Sequence, residues 1–186
     1  MLVLDLVINI YFDMKDYVVL VNEKNEVLGT MPKLSAHSKN TPLHRGISLF
    51  LFNSKGELLL QQRNKKKKTW GGVWSNSVCG HPLLDEAPIE TAKRRLDFEL
   101  GIKNAEISVA LPDYRYKVEK DGIVENEICP VMIGYTDELP RLNPKEVNAI
   151  KWIPWKKWLL EIEKNPDKYS PWCIEETELL IKNKKI

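Results

Sequence analysis

Gly80-His-Pro-Leu-Leu-Asp-Glu-Ala-Pro-Ile-Glu-Thr-Ala-Lys-Arg-Arg-Leu-Asp-Phe-Glu-Leu-Gly-Ile102 is the stretch on which the fold turns. Ile89, Ala92, Leu96 and Leu100 recur at helical spacing, so one face of a helix is apolar. Asp85 is the expected N-cap, and Pro88 is tolerated in the first turn, where its missing N–H costs nothing. Gly101 supplies the C-terminal stop, because it enters the left-handed region without a Cβ penalty. The sequence therefore predicts one amphipathic helix in mid-chain, preceded by a loop rich in polar side chains.

Strands lie on both sides of this helix. Val18–Val21 reads as a short buried strand followed by a turn at Asn22-Glu-Lys-Asn25. Ile47–Phe52 and Glu57–Gln62 read as strands joined by Asn53-Ser-Lys-Gly56 into a hairpin. Ile128–Tyr135 and Ile150–Ile153 read as further strands, and Glu175–Lys184 as a closing helix with a basic last turn that suits its dipole. Strands around one helix with another helix at the end give an α/β (α+β) class: a mixed β-sheet flanked by helices in a single domain.

The 186 residues suffice for one full core, and no repeat or Pro/Gly-rich linker divides them. A net charge of +2 argues against a general nucleic-acid binder, although Arg63 and Lys65 to Lys68 form one basic cluster. That cluster reads either as a solvated loop or as a local site for an anionic small molecule. Residues 1–15 are apolar but interrupted by Asp5 and Asn9, too short to span a bilayer, which takes about 20 residues. They read as an N-terminal extension, an added strand or docking segment, ahead of a domain over 16–186. Cys79, Cys129 and Cys173 with no export signal point to free thiols and a reducing cytoplasm, and nothing suggests a membrane partner. A monomer or weak homodimer is expected.

Candidate chemistry is concentrated in few residues. Ser75-Asn-Ser-Val-Cys-Gly-His-Pro82 places a thiol two residues from an imidazole, and His37 and His44 are the only other histidines. Glu125 and Glu127, two apart, point to one face of a strand. Two close carboxylates in an apolar run repel unless a cation or proton intervenes. A single histidine is more often structural than a ligand; three with a Glu pair form a divalent-cation set.

Gly80-x5-Glu86-x7-Arg94-Arg95-Leu96-x-Phe98-Glu99-x-Gly101-Ile102 resembles the Nudix box, G-x5-E-x7-R-E-U-x-E-E-x-G-U, where U is a bulky aliphatic. Arg95 and Phe98 replace two acidic positions that Nudix hydrolases use to hold catalytic Mg²⁺. That departure fits one branch of the superfamily. From about Asp16 to the C-terminus the chain resembles type 1 isopentenyl diphosphate isomerases, through Ala36-His37, Leu43-His-Arg45, Trp70-Gly-Gly-Val-Trp74, Ser75 to Pro82, Arg94-Arg95, Glu99-Leu-Gly101, Asp113-Tyr-Arg-Tyr116, Gly122 to Pro130 and Ser170-Pro-Trp172. Many members have Pro where Gly71 stands.

The resemblance implies a Nudix-like fold and a 1,3-allylic shift that converts isopentenyl diphosphate to dimethylallyl diphosphate. It implies a divalent metal (Mn²⁺, Zn²⁺ or Mg²⁺) held by His37, His44, His81, Glu125 and Glu127, and a second ion, Mg²⁺, between the substrate diphosphate and Glu99. Lys33, Arg63, Lys67 and Arg95 would hold the diphosphate. Glu127, hydrogen-bonded to Tyr116, would donate the proton; Cys79, its pKa depressed by neighbouring cations, would be the base; Trp172 would face the cation. Read alone, Glu99 can equally pair with Arg95 four residues earlier, Lys33 and Lys67 can be surface lysines, and Tyr116 and Trp172 can be core. Two rivals stand beside the isomerase: a Nudix pyrophosphohydrolase of a nucleoside diphosphate derivative, and a metal-stabilised binding module without turnover.

Overall fold

The computed structural model describes residues 17–186; the N-terminal extension lies outside them. The elements are β1 (Tyr17–Val21), β2 (Val27–Pro32), a single turn α1 (Lys33–Ala36), β3 (His44–Arg45), β4 (Ile47–Phe52), β5 (Glu57–Arg63), β6 (Trp74–Ser75) and β7 (Val78–Gly80). Then follow α2 (Pro88–Leu100), β8 (Glu106–Leu111), β9 (Arg115–Lys120), β10 (Ile123–Ile128), β11 (Val131–Tyr135), β12 (Val147–Pro154), α3 (Trp155–Lys164), a 3₁₀ turn (Pro166–Lys168) and α4 (Pro171–Lys182). One sheet runs β2-β1-β3-β10-β9; the other runs β12-β5-β4-β11-β8, with β6 on β5 and β7 on β4. Both sheets are mixed, since β3–β10 and β4–β11 pair in parallel.

Every residue of β4 is buried because both of its faces are covered. Ile47, Leu49 and Leu51 pack with Leu59, Val78 and the predicted stripe of α2, Ala92, Leu96 and Leu100. Phe50 and Phe52 turn the other way, into a cluster with Leu58, Leu60, Trp158, Trp172 and Leu180 from α3 and α4. Gly101 ends α2 at φ +64° with its N–H on the Asp97 carbonyl, as predicted.

Three local expectations are corrected. Asp85 does not cap α2: it sits at φ +64°, and the cap position is Ala87, with Pro88 first in the helix. Glu86 organises that corner instead, accepting hydrogen bonds from Leu83 N–H, the Thr91 hydroxyl and Arg94. Ile128–Tyr135 is not one strand, because the chain leaves β10 for the second sheet at Cys129-Pro130. The β4–β5 hairpin pairs only next to its turn, Phe52 with Leu58, and then splays.

The opening is filled by residues 74–80: β6 pairs with β5 through Gln61↔Ser75, and β7 pairs with β4 through Ser48↔Cys79. Ser77 is the keystone. Its hydroxyl accepts from Leu51 N–H at 2.7 Å and donates to the Leu59 carbonyl at 2.6 Å, bridging both arms of the fork. Asn76, fully buried, donates to the Ser48 hydroxyl and to the Leu49 and Val78 carbonyls. Among the described residues no helix is long and apolar enough to cross a membrane.

Ser77→Ala removes the bridge and leaves two buried backbone groups unpaired, at roughly 1–3 kcal/mol each. The expected loss of folding stability is on the order of 2–4 kcal/mol by chemical denaturation. A loss below about 1 kcal/mol would mean that neither group depends on the hydroxyl.

Candidate active site

The fork delivers Cys79 and His81 to a place where β3 and β10 deliver the other groups. His44 on β3 is paired in register with Glu127 on β10, and Glu125 lies two residues earlier on the same face. His37 follows α1 directly. The three imidazoles form a triangle with centroids 5.1–5.4 Å apart. One ligand atom from each of His37, His44, His81 and Glu127 lies within 4.8 Å of the others. Glu125 joins through His37, with Oε2 at 2.9 Å from Nε2.

The donor set fits a cation. His37 Nδ1 is 2.7 Å from the Lys33 carbonyl and His44 Nδ1 is 2.9 Å from the Pro42 carbonyl, so both protons reside on Nδ1 and both Nε2 lone pairs face inward. His44 Nε2 then meets His81 Nε2 at 3.3 Å, while His81 Nε2 meets Glu127 Oε1 at 3.0 Å. Ring nitrogens and a carboxylate this close need a proton or a cation between them. Gly46 makes room: a Cβ there would overlap the Glu127 carboxylate.

Next to this cluster is a cavity lined by Lys33, His37, Gln61, Arg63, Lys67, Thr69, Cys79, Gly80, His81, Arg95, Glu99, Tyr116, Glu125, Glu127, Glu146 and Trp172. Every side chain singled out from the sequence lines it except His44, which is fully buried behind it. Trp172 lies 5.5 Å from Tyr116, tilted by 31°, and meets Trp70 edge-on at 5.0 Å, so one end of the cavity is aromatic. The other end is ionic. Glu99 is buried, accepting from Arg95 at 2.6 and 2.9 Å and from Gln61 at 2.8 Å. Burial and the repulsion of Arg95, Arg63 and Lys67 push the Lys33 ammonium down to about 8.

Two electrostatic expectations are overturned. The Cys79 thiol is not depressed: burial, reinforced by Glu176, pushes it up to about 12, more than Arg63 lowers it. Its Sγ–H points at Asn76 Oδ1, 3.1 Å away. The Tyr116 hydroxyl makes no hydrogen bond to Glu127; the two residues are cross-strand partners, and Glu127 turns to His81 and His44. Burial alone would raise the Glu127 carboxyl, but those two imidazoles hold it well below the usual carboxylate range.

Sequence reasoning missed Gln61, Gly46, Glu146 and Glu176. Gln61 Oε1 is buried without a partner inside the cavity wall. Glu176, completely buried, accepts from the Ser48 hydroxyl at 2.6 Å and is pushed up by burial. No motif marks any of the four.

The NUDIX domain family model matches residues 42–173. The isopentenyl-diphosphate Delta-isomerase of Saccharopolyspora erythraea is 41% identical over 167 residues, covering 89% of this chain and 86% of its own. The protein of the same name from Enterobacter sp. (strain 638) is 40% identical, covering 87% of this chain and 89% of its own. Among solved structures, DR0079 of Deinococcus radiodurans superposes with a TM-score of 0.68 at 20% identity, covering 89% of this chain and 98% of its own. The MutT protein of Methanosarcina mazei Go1 gives 0.63 at 21% identity, covering 78% and 97%. At such identities the structural likeness concerns the fold alone.

The geometry predicts that chelator-treated protein takes up one divalent transition ion per chain in a calorimetric titration. Gly46→Ala displaces the Glu127 carboxylate and should weaken that uptake by about 10–100-fold, the usual cost of disturbing a ligand's support. Unaltered affinity in this variant would remove Glu127 from the ligand set.

Proposed function

The chain belongs to the Nudix family and, within it, to the isopentenyl-diphosphate isomerases, and from that we propose the roles of its cavity residues. The reaction moves a double bond by one carbon: a proton adds to the terminal methylene, a tertiary carbocation forms, and a proton leaves the carbon next to the oxygen-bearing one. It needs one loaded acid, one empty base, a wall that does not attack the cation, and an anchor for the diphosphate. The observation that carries the assignment is the convergence of Cys79 and Glu127 on one cavity, with Trp172 and Tyr116 at one end and Lys33, Arg63, Lys67 and Arg95 at the other.

Cys79 and Glu127 are the two proton-handling groups in this reading, with one proton between them. Asn76 fixes the thiol hydrogen, and its amide cannot turn over because Leu49 and Val78 offer it only acceptors. Trp172 and Tyr116 supply π faces to the cation, worth up to about 2 kcal/mol when desolvated. Lys33, Arg63, Lys67 and Arg95 bind the diphosphate through charge-assisted hydrogen bonds. The buried, unpartnered Arg63 Nε is a donor in need of such an acceptor.

His37, His44, His81 and Glu127, with Glu125 behind His37, would hold a divalent ion. Their nitrogen-rich set favours Mn²⁺ or Zn²⁺ over Mg²⁺. Bound there, the ion supplies the positive charge that lets these ligands crowd together. Glu99 would share Mg²⁺ with the diphosphate, an oxygen-rich site; its present partner Arg95 would find the diphosphate as a substitute. Three free cysteines suit the proposed cytoplasmic setting. The pyrophosphohydrolase reading is the weaker one: the box helix offers Arg95, tied to Glu99, and an exposed Phe98 where that chemistry uses acids.

Purified protein given isopentenyl diphosphate and Mg²⁺ in D₂O should yield dimethylallyl diphosphate labelled in a methyl group, without released phosphate. An unlabelled product would mean an internal hydrogen shift, and phosphate released as fast as the isomer would restore the hydrolase. Cys79→Ala and Glu127→Gln should each lower kcat by about 10²–10⁴-fold or more while the protein stays folded. Either variant that keeps a tenth of the wild-type rate loses its residue the role.

Lys33 gives a pH signature. Its pKa is lowered from 10.5 to about 8, so it is charged below that value and neutral above it. Because diphosphate capture needs the charge, kcat/KM should fall as pH rises through about 8, and Lys33→Arg should shift that fall upward. A profile of Lys33→Arg superimposable on the wild type would assign the fall to another group.

A further inference from the structure

Glu146 reaches the ionic end of the cavity from the turn before β12. Its Oε2 lies 2.5 Å from Lys67 Nζ and 3.2 Å from Arg95 Nη2, so it covers two of the four cations. The turn is anchored: the Glu146 carbonyl accepts from Asn64 N–H at 2.8 Å, and Asn143 N–H donates to the Glu99 carbonyl at 2.9 Å. The carboxylate is therefore held against the basic loop 63–68 by backbone bonds that do not involve its own side chain. The other two cations are treated differently. Among the described residues neither Lys33 nor Arg63 has an ion-pair partner, and the Arg63 guanidinium reaches only the Thr69 carbonyl, at 3.4 Å. Burial, together with the crowding of like charge, lowers Lys33.

We propose that Glu146 is a built-in counter-ion that competes with the substrate's diphosphate for Lys67 and Arg95 and so sets how tightly the diphosphate is held. The proposal rests on the reading of this cavity as a diphosphate site. Substrate and product of a 1,3-allylic shift carry the same diphosphate, so every contact to it binds both ends of the reaction equally. Such uniform binding lowers KM without lowering the chemical barrier, and it holds back the product as firmly as it captures the substrate. Four bare cations around a group of about −3 charge would hold it very tightly. One carboxylate shared by two of them weakens capture and release alike, and keeps Lys67 and Arg95 in place between turnovers. Glu99 cannot do this, being buried and bound to Gln61 as well as Arg95, whereas the Glu146 side chain is 17% exposed and has room to withdraw.

The test is calorimetric binding of inorganic pyrophosphate to the full chain in excess Mg²⁺. Glu146→Gln keeps the shape and removes the charge; it should bind pyrophosphate at least about fivefold tighter, from the Coulomb repulsion that it relieves. Glu146→Asp should stay close to the wild type. In steady-state isomerisation Glu146→Gln should lower KM and kcat together, because product leaves more slowly. A second comparison leaves Glu146 untouched: Lys33→Met should cost more pyrophosphate affinity than Lys67→Met, since only Lys67 is already neutralised. Unchanged or weaker binding by a folded Glu146→Gln, or the reverse order of the two lysines, overturns the proposal. A protein that binds pyrophosphate in this pattern but does not isomerise isopentenyl diphosphate would sink the reaction and leave the counter-ion standing.

Discussion

The structure depends on a hairpin that is forced open. Strands β4 and β5 would pair along their length, as their sequences invite, but they meet only at Phe52↔Leu58 and then admit the segment 74–80 between them. An open fork leaves unpaired backbone groups, which in a buried layer is untenable. Ser77 and Asn76 satisfy them with side chains, and the strand pairs of β6 and β7 satisfy the rest. The wedge itself carries Cys79, and His81 follows it directly. The proposed chemistry thus rests in part on the same segment that makes the fork possible, and its position is fixed by hydrogen bonds on both sides.

Burial sets the charges of the site. Nothing near Cys79 is acidic in sequence, yet Glu176 from α4, 97 positions away, lies close enough to oppose its ionisation. The imidazoles of His44 and His81 do the reverse for Glu127, holding it below the usual carboxylate range although it is buried. The ionic end of the cavity follows the same rule: its cations are compressed against one another and relieved by Glu99 and Glu146.

What the sequence revealed follows from how local each signal is. The α2 stripe and its glycine stop, the strands at 47–52 and 57–62, and the shared face of Glu125 and Glu127 are period and turn effects, and all are found in place. Ile128–Tyr135 reads as one apolar run, although Pro130, which lacks an N–H, marks the break where the chain changes sheets. The α3 pattern, Trp155, Trp158, Leu159 and Ile162, is equally local. The residues singled out, His44 excepted, line one cavity. The errors there, the depressed thiol and the Tyr116–Glu127 hydrogen bond, are three-dimensional: each depends on which distant carboxylate or imidazole arrives first. Gly46 and Glu146 matter through contacts with residues 81 and 79 positions away, and no spacing rule reaches so far.

Lys33 belongs to both halves of the site. Its ammonium faces the ionic end of the cavity, while its carbonyl fixes the His37 imidazole, and the two residues are separated by the single turn of α1. The span between the proposed diphosphate end and the histidine cluster is set in part by that one turn of backbone. For the proposed reaction, that makes the cavity a ruler. A homologue with one more methylene between diphosphate and alkene would place the wrong carbon beside the cluster that holds Glu127, and a hydrophobic pocket alone discriminates by only about 1–3 kcal/mol per methylene. Selection by reach adds to selection by fit, so chain length is read from the charged end.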